Sequence, residues 1–246
     1  MKYNLADLYE AIADAVPDNL ALASGDVHHT YADLEKRANR LAHYMQAQGI
    51  GAGDHVGLHL FNGHEFVEAI LALFKIRAVG INVNYRFVGP EVRYMIENGD
   101  LKGMITQRRF LPVINEANEG LTPLRPLIVI EDGSDANSIQ ESIEYESAMA
   151  QGSEERDFGP RSGEDLYIIY TGGTTGMPKG VMWRHEDLFF TGLQGGSPGG
   201  DPVESPEQLV EQAQEGWYTV TMLPCAPFIH GAAQWTQWIC HLTGGK

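Results

Sequence analysis

The sequence holds only two cysteines, Cys225 and Cys240, placed fifteen residues apart without a Cys-x-x-Cys or metal-ligand spacing. That argues against a disulfide framework or a zinc ribbon, and both thiols are expected to be free and buried. Basic residues are scarce too, seventeen against thirty-three acidic ones, for a formal net charge of −16. So acidic a chain has no field to attract a nucleic acid or an anionic membrane surface, and neither is expected as a partner. No apolar run approaches the length of a bilayer span, and the first ten residues, which include Asp7 and Glu10, lack the basic-then-apolar order of a secretory leader. Stable membrane insertion and secretion are unsupported, so the expected localisation is cytoplasmic. What is present is 246 residues, 43% of them hydrophobic, enough for one large or two small domains around a real core.

Helix and strand patterns alternate along the chain. Thr30 is placed to cap a helix with Asp33 in its first turn, and Tyr31, Leu34, Ala38, Leu41, Ala42 and Met45 form one apolar stripe before Gly49 closes it. Val56, Leu58 and Leu60 alternate as a strand, and a nearly all-apolar helix runs from about Glu65 to Ala78. Next come a strand at 81–83, a helix from Pro90 to about Asn98, a strand at 103–106, a helix at 110–117, a strand at 126–130 and a helix at 138–150. This order implies an α/β fold, mainly parallel sheets flanked by helices. Residues 151–164 turn polar and read as a linker. Residues 195–216, rich in glycine, proline and acidic side chains, read as a long, exposed, mobile loop with a short acidic helix over 206–214.

The apolar run 166–169 leads into Tyr170, Thr171, Gly172, Gly173, Thr174, Thr175, Gly176, Met177, Pro178, Lys179 and Gly180. Glycines permit close backbone approach, successive N–H groups can form an anion-binding concavity, and threonine hydroxyls add donors. Lys179 supplies the segment's one full positive charge. Residues 170–180 therefore read as a polyphosphate-binding loop. A P-loop is ruled out because Met177 and Pro178 separate Gly176 from Lys179, and Val181, Met182 and Trp183 read as extended where that motif opens a helix.

This segment resembles the phosphate-loop motif of the adenylate-forming superfamily, Tyr-Thr-Ser-Gly-Thr-Thr-Gly-x-Pro-Lys-Gly, with Gly172 where the family commonly has serine. Two further stretches are similar to that family. Ile81 to Phe87 resembles its Asn-x-Asn-Tyr-Arg-Tyr segment in members that activate hydrophobic acids. Leu223 to Gly231 resembles a motif whose histidine, here His230, borders the acyl carboxylate. The resemblance implies an acyl-CoA synthetase-like fold and an ATP-dependent acid–thiol ligase. By that resemblance a carboxylic acid, fatty or otherwise hydrophobic, becomes an acyl-adenylate, and coenzyme A then displaces AMP.

By the same resemblance, Thr171, Gly172, Gly173, Thr174, Thr175, Gly176 and Lys179 hold the phosphates of ATP. Lys179 and His230 act in catalysis, and Phe228, His230 and Trp235 border the acid. The family's magnesium-binding glutamate, ribose-binding aspartate and C-terminal lid all follow Lys246. The chain is thus expected to be a partial N-terminal AMP-binding domain, with 166–246 opening a second lobe. Alone it is expected to be inactive, and to expose an apolar face that promotes association into a homo-oligomer. Mg2+ is implied only through the family, and no metal ligand set is read in this chain. Two alternatives stay open: a carrier-protein thiol in place of coenzyme A, and a non-catalytic nucleotide-binding remnant.

Other features carry less. His28, His29, His55, His59, His64, His185 and His241 show no metal-site spacing and read as structural. Gly49, Gly51 and Gly53 precede a strand and so read as a helix-to-strand turn instead of a dinucleotide loop. Trp235 and Trp238, three apart on the last helix, fit a ligand stack or the core equally well.

Overall fold

The computed structural model describes residues 3–173 and 176–246. In chain order its elements begin with α1 (Leu5–Ala15), β1 (Leu20–Ser24), β2 (Val27–Thr30), α2 (Tyr31–Ala47), β3 (His55–His59), α3 (His64–Lys75), β4 (Val79–Asn82), α4 (Gly89–Asn98) and β5 (Leu101–Gln107). They continue with α5 (Leu111–Ala117), β6 (Leu127–Ile130), β7 (Ile143–Glu144), α6 (Tyr145–Met149), β8 (Leu166–Gly173), β9 (Gly176–Arg184), α7 (His185–Thr191), α8 (Pro206–Glu215) and α9 (Gly231–Leu242). Strands β1 and β2 form a small antiparallel ribbon. The rest make one seven-stranded sheet in the order β7-β6-β5-β3-β4-β8-β9. Every neighbouring pair in it is parallel except β8–β9.

Alternation along the strands sends side chains to two separate cores. Ile105, Ile128 and Ile130 join Tyr9, Leu41, Phe66, Phe74 and Trp238 on the face covered by α1, α2, α3 and α9. Met104, Leu127 and Val129 join Val92, Met95, Leu111 and Ile114 under α4 and α5. Helix α2 starts as its sequence implies, since Thr30 Oγ1 accepts from Asp33 N at 3.1 Å and Asp33 Oδ2 accepts from Thr30 N at 3.1 Å. Strands β8 and β9 extend the same sheet as β3–β7, and α9 packs into the same core, so these residues do not open a separate layer.

Three expectations need correction. The helix over 138–150 shrinks to α6: Ile139 is 77% exposed and offers no face to bury, Ile143 instead pairs with Ile128 of the sheet, and the Glu144 carboxylate caps the short helix by accepting from Glu146 N and Ser147 N. Residues 195–216 carry the expected short helix as α8, but the segment leading into it is not an open loop. Gly195 and Gly196, at φ 59° and 72°, fold the chain so tightly that a Cβ on either would lie 2.4 Å from Pro202 or Leu209, and Val203, Leu209 and Ala213 are buried. Cys225 is exposed, and only Cys240 is buried.

Residues 151–164 carry neither helix nor strand but are tied down by charge. Arg156 pairs with Asp14 and Glu35, Arg161 pairs with Asp7 and Glu10, and the fully buried Lys75 ammonium bridges Glu10 and Glu35 at 2.6 and 2.7 Å. Lys75 and Arg161 beside Glu10 outweigh its burial and lower its pKa.

Candidate active site

The phosphate-type segment is the end of the β8–β9 hairpin. The ladder runs from Leu166 opposite Arg184 to Gly173 opposite Gly176, so the described part of 170–180 is strand where the sequence read loop; Thr174 and Thr175 lie outside the described residues. Gly180 lets the strands close over an aromatic ring, since a Cβ there would stand 3.0 Å from Tyr170 Cε2 and 3.1 Å from Ile168 Cγ2. The register shifts between Thr171 and Gly173, opposite Pro178, which has no N–H to give. The Pro178 carbonyl accepts from the Tyr94 hydroxyl of α4 at 2.9 Å, which fixes the bulged strand. At Gly172 and Gly176 a Cβ would meet nothing within 4 Å. The departure from serine at 172 is thus not forced by packing.

Because β8 lies parallel to β4, the hairpin tip, the turn after β4 and the segment entering α9 meet at the carboxyl ends of the strands, where open α/β sheets bind ligands. Asn82 joins them. Backbone pairing between β4 and β8 is recorded only at Ile81 and Ile168, and the Asn82 amide continues it: Oδ1 accepts from Tyr170 N at 2.8 Å, and Nδ2 donates to Tyr170 O at 2.9 Å and to Ile229 O at 2.6 Å. Asn62 anchors the same incoming segment, accepting from Phe228 N at 2.7 Å and donating to Ala226 O at 3.1 Å. The result is a cleft of about 250 Å³ bordered by Asn82, Asn84, Phe87, Tyr170, Gly172, Gly176, Met177, Pro178, Ile229 and His230. Larger hollows of about 460 and 420 Å³ lie elsewhere and touch neither the hairpin nor His230.

Gly172, Gly176 and His230 therefore border one cleft. His230 is exposed at the N-cap of α9 with its imidazole uncommitted to the cap. Lys179 faces Thr171 across the ladder and is exposed. In an acidic protein whose basic groups are mostly in ion pairs, Lys36, Arg86, Lys179 and Lys246 form none among the described residues. Two of these four stand at this end of the sheet, Lys179 on the hairpin and Arg86 between the cleft residues Asn84 and Phe87.

Phe228 and Trp235 stand apart from the cleft wall. Phe228 is 4% exposed and stacks on Phe66 with centroids 5.0 Å apart, and Trp235 meets Trp183 edge-on at 5.7 Å. Trp238 is fully buried core. Burial raises the pKa of Tyr170, whose hydroxyl donates to Asn98 Oδ1 at 2.9 Å, so it is a neutral hydrogen-bonding wall. Glu91 is the one carboxylate bordering the cleft among the described residues, and it already accepts from Val88 N at 3.0 Å to cap α4. Mg2+ beside nucleotide phosphates takes one or two carboxylates and several waters, and Glu91 is the one such group at this cleft among the described residues, with Oε2 already engaged.

Sequence reasoning missed the clamping roles of Asn82, Asn62 and Tyr94. The first lay in a quoted motif without that role; the other two carry no local signal. Among the described residues, no helix is long and apolar enough to cross a membrane.

Known proteins place this architecture. The 3-oxocholest-4-en-26-oate–CoA ligase of Rhodococcus rhodochrous is 47% identical over 249 residues, which cover 100% of this chain and 44% of that protein. A medium/long-chain-fatty-acid–CoA/3-oxocholest-4-en-26-oate–CoA ligase of Mycobacterium tuberculosis H37Rv is 42% identical over 244 residues, 98% of this chain and 44% of its own length. The chain thus spans less than half of the curated relatives it matches. The inhibitor-bound N-terminal domain of FACL13 from Mycobacterium tuberculosis superposes with a TM-score of 0.73 at 26% identity, over 100% of this chain and 56% of that one. With residues 9–246 matching the family described as AMP-binding enzyme, the chain belongs to that family.

Proposed function

We propose that this chain supplies the phosphate-binding part of an acyl-CoA ligase acting on hydrophobic carboxylic acids. The observation that carries the reading is the Asn82 clamp, which holds the hairpin tip and the His230 segment against one cleft through three hydrogen bonds. In the first step a carboxylate oxygen attacks the α-phosphorus of ATP and pyrophosphate leaves. In the second, the sulfur of coenzyme A attacks the acyl carbon and AMP leaves. Charge develops on phosphate oxygens, so the protein contributes mainly oriented donors and cations.

In this reading Lys179 and the open backbone at Gly172 and Gly176 meet the β- and γ-phosphates, together with Thr171, Gly173, Thr174 and Thr175. His230, at the opposite wall, orients the carboxylate. Phe228 acts from behind, by fixing the His230 segment, and Trp235 borders the acid further along α9. The names of the relatives, steroid-acid and medium- or long-chain fatty-acid ligases, support a hydrophobic substrate. Each buried methylene adds about 0.8 kcal/mol to binding. Assaying the ligase that carries this chain against acetate, amino acids, medium- and long-chain fatty acids and a steroid side-chain acid tests the reading. Preference for the hydrophobic acids in kcat/KM is expected, and preference for acetate or for amino acids refutes it.

A further inference from the structure

At the start of α3, outside the cleft, two histidines and a glutamate converge. His64 opens α3 and Glu68 follows one turn later, so both side chains share one helix face. His29 reaches them from β2. His64 Nδ1 lies 2.8 Å and His29 Nε2 3.3 Å from the same carboxylate oxygen, Glu68 Oε1, and all three atoms lie within 4.8 Å of one another. The Glu68 carboxylate is fully buried, and His29 Nε2 is buried without a hydrogen-bond partner. At 3.3 Å His29 Nε2 pairs only loosely with Glu68 Oε1, and what the structure builds is three ligand-type atoms gathered around one buried carboxylate oxygen.

We propose that His29 Nε2, His64 Nδ1 and Glu68 Oε1 form a binding site for a transition-metal dication of the zinc class. Metal bonds of about 2.0–2.2 Å at near-tetrahedral angles put ligand atoms about 3.3 Å apart, close to the spacings seen. Two imidazoles and one carboxylate suit Zn2+, Co2+ or Ni2+ and not Mg2+ or Ca2+, which take oxygen ligands. The surroundings supply the outer contacts such sites need. His64 Nε2 lies 3.4 Å from Glu65 Oε1, and Glu68 Oε2 accepts from the Tyr145 hydroxyl at 2.7 Å.

Arg37 also holds Glu68, with Nε 2.7 Å from Oε1, and its positive charge stands against a second cation. That charge is shared with Glu146, 2.6 Å from Arg37 NH2, so the guanidinium is balanced by two carboxylates. A hollow of about 460 Å³ reaches the His29 ring, with Asp33, Glu146 and Glu154 set against Lys36, Arg37 and Arg40 along its wall. Nothing in the sequence spacing announces this set, because one ligand comes from a strand thirty-five positions before the next.

The test titrates the untagged, chelator-treated protein with Co2+ and then with Zn2+. One Co2+ per chain is expected, with a visible absorption band from imidazole coordination that Zn2+ abolishes by displacement. His29→Ala and His64→Asn should each weaken binding at least about tenfold. His28→Ala, at the neighbouring exposed histidine, should leave it unchanged, and circular dichroism verifies that each variant is folded. Absence of the band at about 100 µM Co2+, well above the range of built sites, overturns the proposal. So does a band that survives both substitutions, or one that His28→Ala removes.

Discussion

Replacing Asn82 tests the clamp at its centre. Its side chain is 5% exposed and makes three hydrogen bonds to the main chain, two with Tyr170 and one with Ile229, at the point where recorded β4–β8 backbone pairing stops. Asn82→Leu keeps the branching and the number of heavy atoms and is larger, not smaller, so its effect does not come from a cavity. It strands one N–H and two carbonyls at the cleft wall. Unpaired buried groups cost about 1–3 kcal/mol each, and entry of water from the cleft relieves part of that, which leaves a loss of about 3–5 kcal/mol. In urea unfolding followed by tryptophan fluorescence, the midpoint should fall by that loss divided by an unchanged m-value. Hydrogen exchange at the Tyr170 amide should quicken more than at Ile105 in the sheet centre. In the ligase, kcat should fall with the loss of alignment between hairpin and His230, because displacements near 1 Å cost about 10²-fold. A stability loss below about 1 kcal/mol, or unchanged protection at Tyr170, refutes the clamp.

Acid should unfold the protein well before its carboxylates are titrated. Burial pushes His59, His185 and His241 down to about 4 from an ordinary 6.5, and the partners of the last two fit neutral rings: Leu5 N donates to His185 Nδ1 at 3.2 Å, and His241 Nδ1 accepts from Gln237 Nε2 at 2.8 Å while its Nε2 donates to Ala21 O at 3.0 Å. Between pH 6.5 and 4 the unfolded chain binds protons that the native state refuses, so stability falls by about 3 kcal/mol per histidine as pH drops through that window. A urea midpoint that stays constant from pH 7 to pH 5 contradicts this. Lys75→Met should destabilise by about 3 kcal/mol or more because Glu10 and Glu35 lose the ammonium between them, and a neutral result in thermal unfolding would show that Arg156 and Arg161 suffice. Gly180→Ala should cost about 1 kcal/mol or more as its methyl meets the Tyr170 ring, measured by the same unfolding assay, with a stabilised variant as the refuting outcome. Lys179→Ala should raise the barrier for ATP use by about 1.5–3 kcal/mol, the scale of one hydrogen bond to a charged group, with kcat/KM for ATP as the readout and no change as the refutation.

Elements whose cause is local were legible in the sequence. The Thr30–Asp33 box and the apolar stripe behind it placed α2, Pro90 placed the start of α4, and the run 166–169 placed β8. The residue order from Tyr170 to Gly180 is local too, but the sequence read it as a loop where the described residues are strand. The Asn82 contacts were not legible, since they join residues 88 and 147 positions apart and leave no periodic trace. Residues 195–216 misled because glycine and proline read alike in an open loop and in a compact knot, and only the approach of Gly195 to Pro202 distinguishes them. Lys75 was hidden inside an apolar helix pattern. Its partners Glu10 and Glu35 come from two other helices, so its burial could not be read from α3 alone.

The most direct measurement of the central claim is acid-dependent exchange of labelled pyrophosphate into ATP by the proposed ligase, with a medium-chain fatty acid as driver and His230→Ala as the comparison. The account predicts robust exchange in the unaltered protein, and in the variant a fall of about 10²-fold or more that raising the ATP concentration does not restore, because His230 is proposed to align the carboxylate and not the phosphates. Exchange in the variant at the unaltered rate, or none in the unaltered protein with any hydrophobic acid, contradicts it.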